Sequence, residues 1–315
     1  MLNNPLLNYI KTGNIAEVKA CLKKDIDINF EFGADTPLKL ACASGNLELV
    51  KLLLDCPNID LNKQGSFLVT AARNNHTHIV KRLLEDKRVN VNAANYREDT
   101  ALIAACEHNN LEMVKLLLSK PELDIHASSW VYGTALTYAI YKQHWDIVDA
   151  LLVKEIEQEQ TFKDKHHPGA LIWAVRRNQL ELVARLVKLG ADVNSMNDFG
   201  FYDNRPDWVA SEIDGNDIET PFSTSPRDPT FDLPLVFAVM NESVEMMRLL
   251  IKLGTNPELK GLRDQSALDV LEFLEHPEQE QTFRKILTEN IREDNLLTNV
   301  VFVEVLFQRT VFGTI

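Results

Sequence analysis

Eight histidines and four cysteines are the side chains of this 315-residue sequence best suited to hold a metal or act as nucleophiles. A metal site needs such ligands in a cluster. His76 with His78, and His166 with His167, come nearest, and neither pair has a cysteine or a further histidine at ligand spacing. Both pairs read as surface-loop histidines. Cys21, Cys42, Cys56 and Cys106 form no C-x-x-C pair, and three of them fall at helix positions, so they read as reduced core thiols. A reactive thiolate needs a nearby cation or a helix N-terminus to stabilise it, and the sequence around these cysteines offers neither. Gly-rich phosphate loops, H-E-x-x-H and G-x-S-x-G are all missing from the sequence. The chemistry expected is therefore non-covalent: no enzyme, no cofactor and no metal.

Charge narrows the partners further. Lys plus Arg number 33 against 46 Asp plus Glu, so the formal charge is 33 − 46 = −13, and the long-range field repels nucleic acid. The apolar fraction of 45% supports a sizeable core. The first residues, Met1 to Lys11, lack the basic and apolar regions of a signal peptide, which places the chain in a cytosol. Apolar runs such as Val300 to Val303 and Leu235 to Met240 are far short of the roughly 20 residues that span a bilayer. No membrane contact is expected.

The elements that position any functional group follow from an internal repeat. Its clearest copy runs Asp35-Thr-Pro-Leu-Lys-Leu-Ala-Cys-Ala-Ser-Gly-Asn-Leu-Glu-Leu-Val-Lys-Leu-Leu-Leu54. The Leu after Thr-Pro recurs as Leu6, Leu38, Leu68, Leu102, Leu136, Leu171, Leu235 and Leu268, in steps of 32, 30, 34, 34, 35, 64 and 33. Twelve residues after the first seven of these stand Val18, Val50, Val80, Val114, Val148, Val183 and Met247. This double series resembles the ankyrin-repeat family, with its pattern T-P-L-H-x-A, Gly, L-E-x-V-x-x-L-L at a period of about 33 residues. The resemblance covers roughly residues 4 to 275. The motif His is replaced throughout, by Lys39, Val69, Ile103, Thr137, Ile172, Val236 and Asp269.

Elementary physics agrees. Each unit offers a first helix of about seven residues, such as 37 to 43, with Pro37 at the first turn, where a missing N–H does no harm. A second helix follows, with Leu47, Val50, Leu53 and Leu54 on one face. Helices this short persist only when neighbouring units cover their apolar faces. Between them the chain needs a left-handed residue, and Gly13, Gly45, Asn75, Asn109 and Asn178 stand at that position. Gly190 and Gly254 are expected to cap the second helices that precede them. The reading is an all-α ankyrin solenoid of about eight helix-turn-helix units with short β-hairpin fingers, over residues 1 to 290.

Three departures interrupt the period. The 30-residue step predicts a stunted finger at Asn62 to Gly65. The 64-residue step leaves about 31 extra residues, an insertion over 196 to 232, with nine carboxylates between Asp198 and Asp232 and the aromatics Phe199, Phe201, Tyr202, Trp208, Phe222 and Phe231. Loops of this length are usually functional or disordered, and the reading here is a long loop that packs its aromatics onto its own flank. Glu272 to Asn290 is expected to prolong the last second helix and seal the stack. Residues 291 to 315 form an apolar tail, either a capping segment or an engineering remnant, since Glu304-Val-Leu-Phe-Gln308 resembles a picornaviral 3C protease cleavage sequence.

The ankyrin resemblance implies that fingertips and the exposed side of the first helices line a concave groove where partners bind. Position by position, the tips carry Phe32, Tyr96, Arg97, Trp130, Tyr132, Lys165 and His166. The helix ends carry Arg73, Asn74, Glu107, His108, Tyr141, Lys142, Arg176 and Arg177. Tyr138, Trp145 and Trp173 fall where the family buries Leu, and are expected in the core. The partner-binding set is Tyr96, Arg97, Trp130, Tyr132, Tyr141, Lys142, Arg176 and Arg177, in which exposed aromatics flanked by cations match the composition of interface hot spots. The partner expected is a protein or an acidic, partly apolar peptide, bound by a cytoplasmic, monomeric adaptor. The alternative is a secreted bacterial effector acting on host proteins, with the 196 to 232 insertion as its functional site or switch.

Overall fold

A computed structural model describes residues 5–24, 26–31, 33, 35–61, 66–157, 170–195, 233–261, 264–274 and 276–289. The expected finger break at 62 to 65, the insertion, the C-terminal tail, Phe32, Lys165, His166 and His167 lie outside them. The chain divides into two compact units, Met1–Lys154 and Glu155–Ile315.

The first unit holds five helix pairs: α1 (Pro5–Lys11) with α2 (Ile15–Leu22), α3 (Pro37–Ala43) with α4 (Leu47–Leu54), α5 (Phe67–Arg73) with α6 (Thr77–Leu84), α7 (Ala101–Glu107) with α8 (Leu111–Leu118), and α9 (Ala135–Tyr141) with α10 (Trp145–Glu157), whose last three residues fall in the second unit. The second unit holds α11 (Ala170–Arg176) with α12 (Leu180–Lys188), and α13 (Pro234–Met240) with α14 (Val244–Lys252). The eighth repeat is shortened. Its first helix is a 3-10 turn, Asp269–Phe273, and Glu272 to Asn290 is no continuous helix: a second 3-10 turn, Pro277–Gln279, precedes α15 (Glu280–Glu289). Leu268 is half-exposed, and Ala267, Val270 and Leu271 are the buried residues there instead.

Local chemistry starts many of the described helices. Thr36, Thr100 and Thr134 cap first helices, each hydroxyl accepting from the N–H three residues on at 3.2–3.4 Å. Asn14, Asn46, Asn110 and Ser243 do the same for second helices. Such caps satisfy N–H groups that the helix itself leaves unpaired. All five expected turn residues have positive φ, and so do two that the sequence did not suggest, Gln143 (φ 61°) and Glu242 (φ 51°). Gly45 is doubly constrained: its φ is 72°, and a Cβ there would lie 2.8 Å from the His76 ring.

The two apolar series form the core. Leu6, Leu38, Leu68, Leu102, Leu136, Leu171 and Leu235 are buried, as are Val18, Val50, Val80, Val114, Val148, Val183 and Met247. Polar side chains then tie neighbouring repeats together within each unit. The amides of Asn29 and Asn92 each donate to one finger carbonyl of the following repeat, Asn58 O and Glu122 O, and accept from one finger N–H, Asp60 or Asp124, all at 2.7–2.8 Å. Asn194 does the same with Gly254 O and Asn256 N–H inside the second unit. Arg88 and Lys120 reach back to the last carbonyls of α4 and α6, Leu54 O and Leu84 O, where cations suit the helix C-terminus. No described helix is long and apolar enough to cross a membrane.

Candidate protein-binding surface

The fourth finger is a tight hairpin. An isolated bridge pairs Ala94 with Thr100, the Asn95 N–H donates to Asp99 O at 3.0 Å, and Asn95 Oδ1 accepts from the N–H groups of Arg97 (2.8 Å) and Asp99 (3.0 Å). That leaves Tyr96 and Arg97 at the tip. Tyr96 is 62% exposed, and the Arg97 guanidinium sits 5.3 Å from its ring centre while Nε donates to the phenol oxygen at 3.1 Å.

The fifth finger pairs Ser128–Ser129 with Gly133–Thr134 as antiparallel strands β1 and β2. Asp99 joins the two fingers. It is 1% exposed, and its carboxylate accepts from Ser129 Oγ (2.5 Å), Arg73 Nη1 (2.8 Å) and Asn95 Nδ2 (2.9 Å). The Trp130 N–H donates to Arg97 O at 3.1 Å, and Ser129 Oγ accepts from the N–H groups of Val131 and Tyr132. A buried carboxylate is tolerable because it is fully paired.

Two expected exposures are corrected here. Tyr132 is 4% and Tyr141 is 8% exposed. Tyr132 packs edge-on against Tyr138, ring centres 4.8 Å apart, and Tyr138 in turn lies 6.2 Å from Tyr141. Aromatic rings on one helix and its finger bury each other's area, which outweighs the solvation of their hydroxyls. Trp130 is half-buried. Lys142 Nζ lies 4.9 Å from the Tyr141 ring centre and 6.0 Å from that of Tyr138. Burial, then the Glu107 carboxylate, pushes the Tyr132 phenol up to about 12. Arg73 is ion-paired with Asp99, with Glu107 Oε2 at 3.7 Å from Nη2.

The matching family description is "Ankyrin repeats (3 copies)", over residues 2–65, 58–129 and 126–197, more than half of the chain. The chain belongs to the ankyrin-repeat family. Osteoclast-stimulating factor 1 of Danio rerio and of Bos taurus are each 34% identical to it over 64 residues, 20% of this chain and 30% of theirs. The chain thus spans about a third of the length of the curated relatives it matches. Among solved structures, the ankyrin repeat domain of Bcl-3, described as a unique member of the IkappaB protein family, overlaps 84% of this chain and 100% of its own, with a TM-score of 0.51 and 23% identity. That likeness concerns the fold alone.

In the second unit of this ankyrin protein, Arg176 lies between two rings, 4.5 Å from the Trp173 centre and 5.1 Å from that of Phe237, and Arg177 lies 5.7 Å from the Trp173 ring. Both arginines are half-buried, and Trp173 is in the core as expected. Trp145 is only half-buried, contrary to expectation, because it opens α10 where the inter-helix turn ends. Six of the eight sequence-derived binding residues thus belong to the first unit, and Arg176 and Arg177 to the second.

The histidines serve the stack. His76 and His78 meet Ala43 O (3.2 Å) and Gly45 O (3.1 Å), His108 meets Arg73 O (2.6 Å), and His144 meets Cys106 O (3.0 Å), each in the inter-helix region of the preceding repeat. His76, in the turn before α6, and His78, exposed in its first turn, therefore also bridge adjacent repeats. Among the described residues no group of three or more His, Cys, Asp or Glu could hold a metal. Cys21, Cys42 and Cys106 are buried, Cys56 is half-buried, and all four are free thiols. Burial pushes the Cys42 and Cys106 thiols far up, which opposes thiolate chemistry. Sequence reasoning missed Asp99, Asn95 and Ser129. The one available signal was the recurrence of Asp before Thr, as Asp35-Thr36 and Asp99-Thr100.

Proposed function

We propose that this chain is a non-catalytic adaptor that binds a protein or peptide through its fingers and first-helix ends. Ankyrin repeat domains are general protein-interaction modules, and the observation that carries the reading for this chain is the Tyr96–Arg97 tip. Among the described residues the large exposed apolar side chains are Tyr96, Val153 and Ile156, and Tyr96 is the one presented on a finger braced by Asn95 and Asp99. A rigid exposed aromatic beside a cation loses little entropy on binding. Trp130 and Lys142 extend this surface in the first unit, and Arg176 and Arg177 offer a separate one in the second. Tyr132 and Tyr141, being buried, act as its supports.

An acidic, partly apolar peptide is the partner class these half-exposed cations favour, bound by a cytoplasmic monomer. Arg73 leaves that set because Asp99 already neutralises it. The rival effector reading turns on residues 196 to 232, outside the described residues. A photo-cross-linking residue replacing Tyr96 should trap a discrete protein partner, and Arg97→Glu with Lys142→Glu should cut the yield about fivefold or more by slowing association. Unchanged yield would place the site elsewhere.

A further inference from the structure

We propose that Arg73, Glu107 and the Tyr132 hydroxyl form a carboxamide-reading site in the first unit, which takes an Asn or Gln side chain of the protein partner. This deepens the binding role proposed above and rests on it. Arg73 is held closely at one end, where Nη1 donates to the buried Asp99 at 2.8 Å, and only loosely at the other. Its other terminal nitrogen, Nη2, faces Tyr132 OH at 3.5 Å and Glu107 Oε2 at 3.7 Å, and Tyr132 OH reaches Glu107 Oε1 at 3.4 Å. Charge-assisted hydrogen bonds contract to about 2.7–2.9 Å when nothing stands between the partners. All three sides of this triangle are longer. The Arg73 and Glu107 side chains are 31% and 28% exposed, so a group from outside can reach both.

The charge pattern selects the group. A carboxylate approaching Arg73 meets two carboxylates already there, Asp99 and Glu107, and is repelled. An ammonium approaching Glu107 meets the Arg73 guanidinium. A carboxamide is uncharged and carries both complements: its carbonyl oxygen accepts from Arg73 Nη2, and its NH2 donates to Glu107. Tyr132 completes the site as a fixed hydroxyl, locked by its edge contact with Tyr138. Such a site also discriminates, because an analogue lacking the donor leaves Glu107 unsatisfied in a partly desolvated setting.

The test uses the full chain with 15N-labelled arginine and three probes that differ only in head group: butanamide, butanoate and butylammonium. NMR follows the Arg73 guanidinium signal, assigned through Arg73→Lys, up to about 0.2 M probe, a range set by the small binding energy so few atoms can supply. Butanamide should shift that signal saturably and bind about fivefold or more tightly than either charged probe, and Glu107→Ala should weaken it by a similar factor while leaving the unfolding midpoint in place. Should Glu107→Ala not fold, Tyr132→Phe serves, with a smaller loss expected. The assignment is overturned by no saturable shift, by tighter binding of a charged probe, or by undiminished binding in both variants. If cross-linking at position 96 succeeds and butanamide fails, the carboxamide site alone falls. If butanamide binds and cross-linking fails, the carboxamide-binding geometry stands, but its assignment to a protein partner falls with the binding role.

Discussion

Arg73 and Arg176 occupy the same place in their repeats, each ending a first helix five residues after Leu68 or Leu171, and opposite chemistries hold them. In the first unit the guanidinium is tied to carboxylates, Asp99 at 2.8 Å and Glu107 at 3.7 Å. In the second it is stacked between Trp173 and Phe237. This position at the end of the first helix is therefore free to diverge, because the stack fixes its backbone and only its neighbours decide its partners. Ion pairing serves the fingers: Asp99 needs Arg73 to be buried, and Asp99 in turn locks Ser129. Ring stacking sets the guanidinium against apolar area that the rings supply.

Breaking the comparison at its strongest point means removing the rings. Trp173→Ala deletes a core indole, and should cost about 3–5 kcal/mol in urea unfolding. A loss under about 1 kcal/mol would mean the indole is not the second unit's anchor. Next comes the pair of arginines themselves. Arg73→Met strips the buried Asp99 of its cation and should cost about 3 kcal/mol, whereas Arg176→Met forfeits a partly exposed cation–π contact and should cost about 1 kcal/mol. Equal losses in thermal or urea unfolding would erase the distinction between the two sites.

The smallest expected effect concerns pH and sharpens the first-unit side. Tyr132 is raised to about 12, above its ordinary value near 10. Between those values the native state keeps the phenol proton that the unfolded chain releases, so its contribution to stability is present below pH 10 and is lost as pH rises through that window. Tyr132→Phe should change stability by less than about 1 kcal/mol at pH 8. The difference between wild type and variant should then swing toward the variant by pH 11. A pH-independent difference would place the hydroxyl in solvent.

Most of the architecture was legible because it is local. The Leu and Val series, the proline at the first turn and the glycine and asparagine turns all act within one repeat of about 33 residues, so periodicity and turn chemistry suffice to place them. The same locality explains two misses. Gln143 and Glu242 take left-handed φ at a cost of about 1–2 kcal/mol, because the helices on either side dictate the turn whatever residue stands in it. The Glu242 carboxylate then finds partners in the His276 N–H (3.0 Å) and ring (2.5 Å), tying the shortened last repeat to the one before it.

By itself, then, the sequence determined the repeat, its period, the buried faces and the residue types on the surface, since each follows from spacing along one short stretch of chain. Only the tertiary structure decided which of those surface residues remain exposed. Tyr132 lies against Tyr138 within one repeat and reaches Glu107 of the preceding one, and Arg73 finds Asp99 26 residues further on. Whether a side chain is buried or ion-paired depends on what the adjacent repeat places opposite it, and that is a relation between two sequences a full period apart, which no pattern within either one contains.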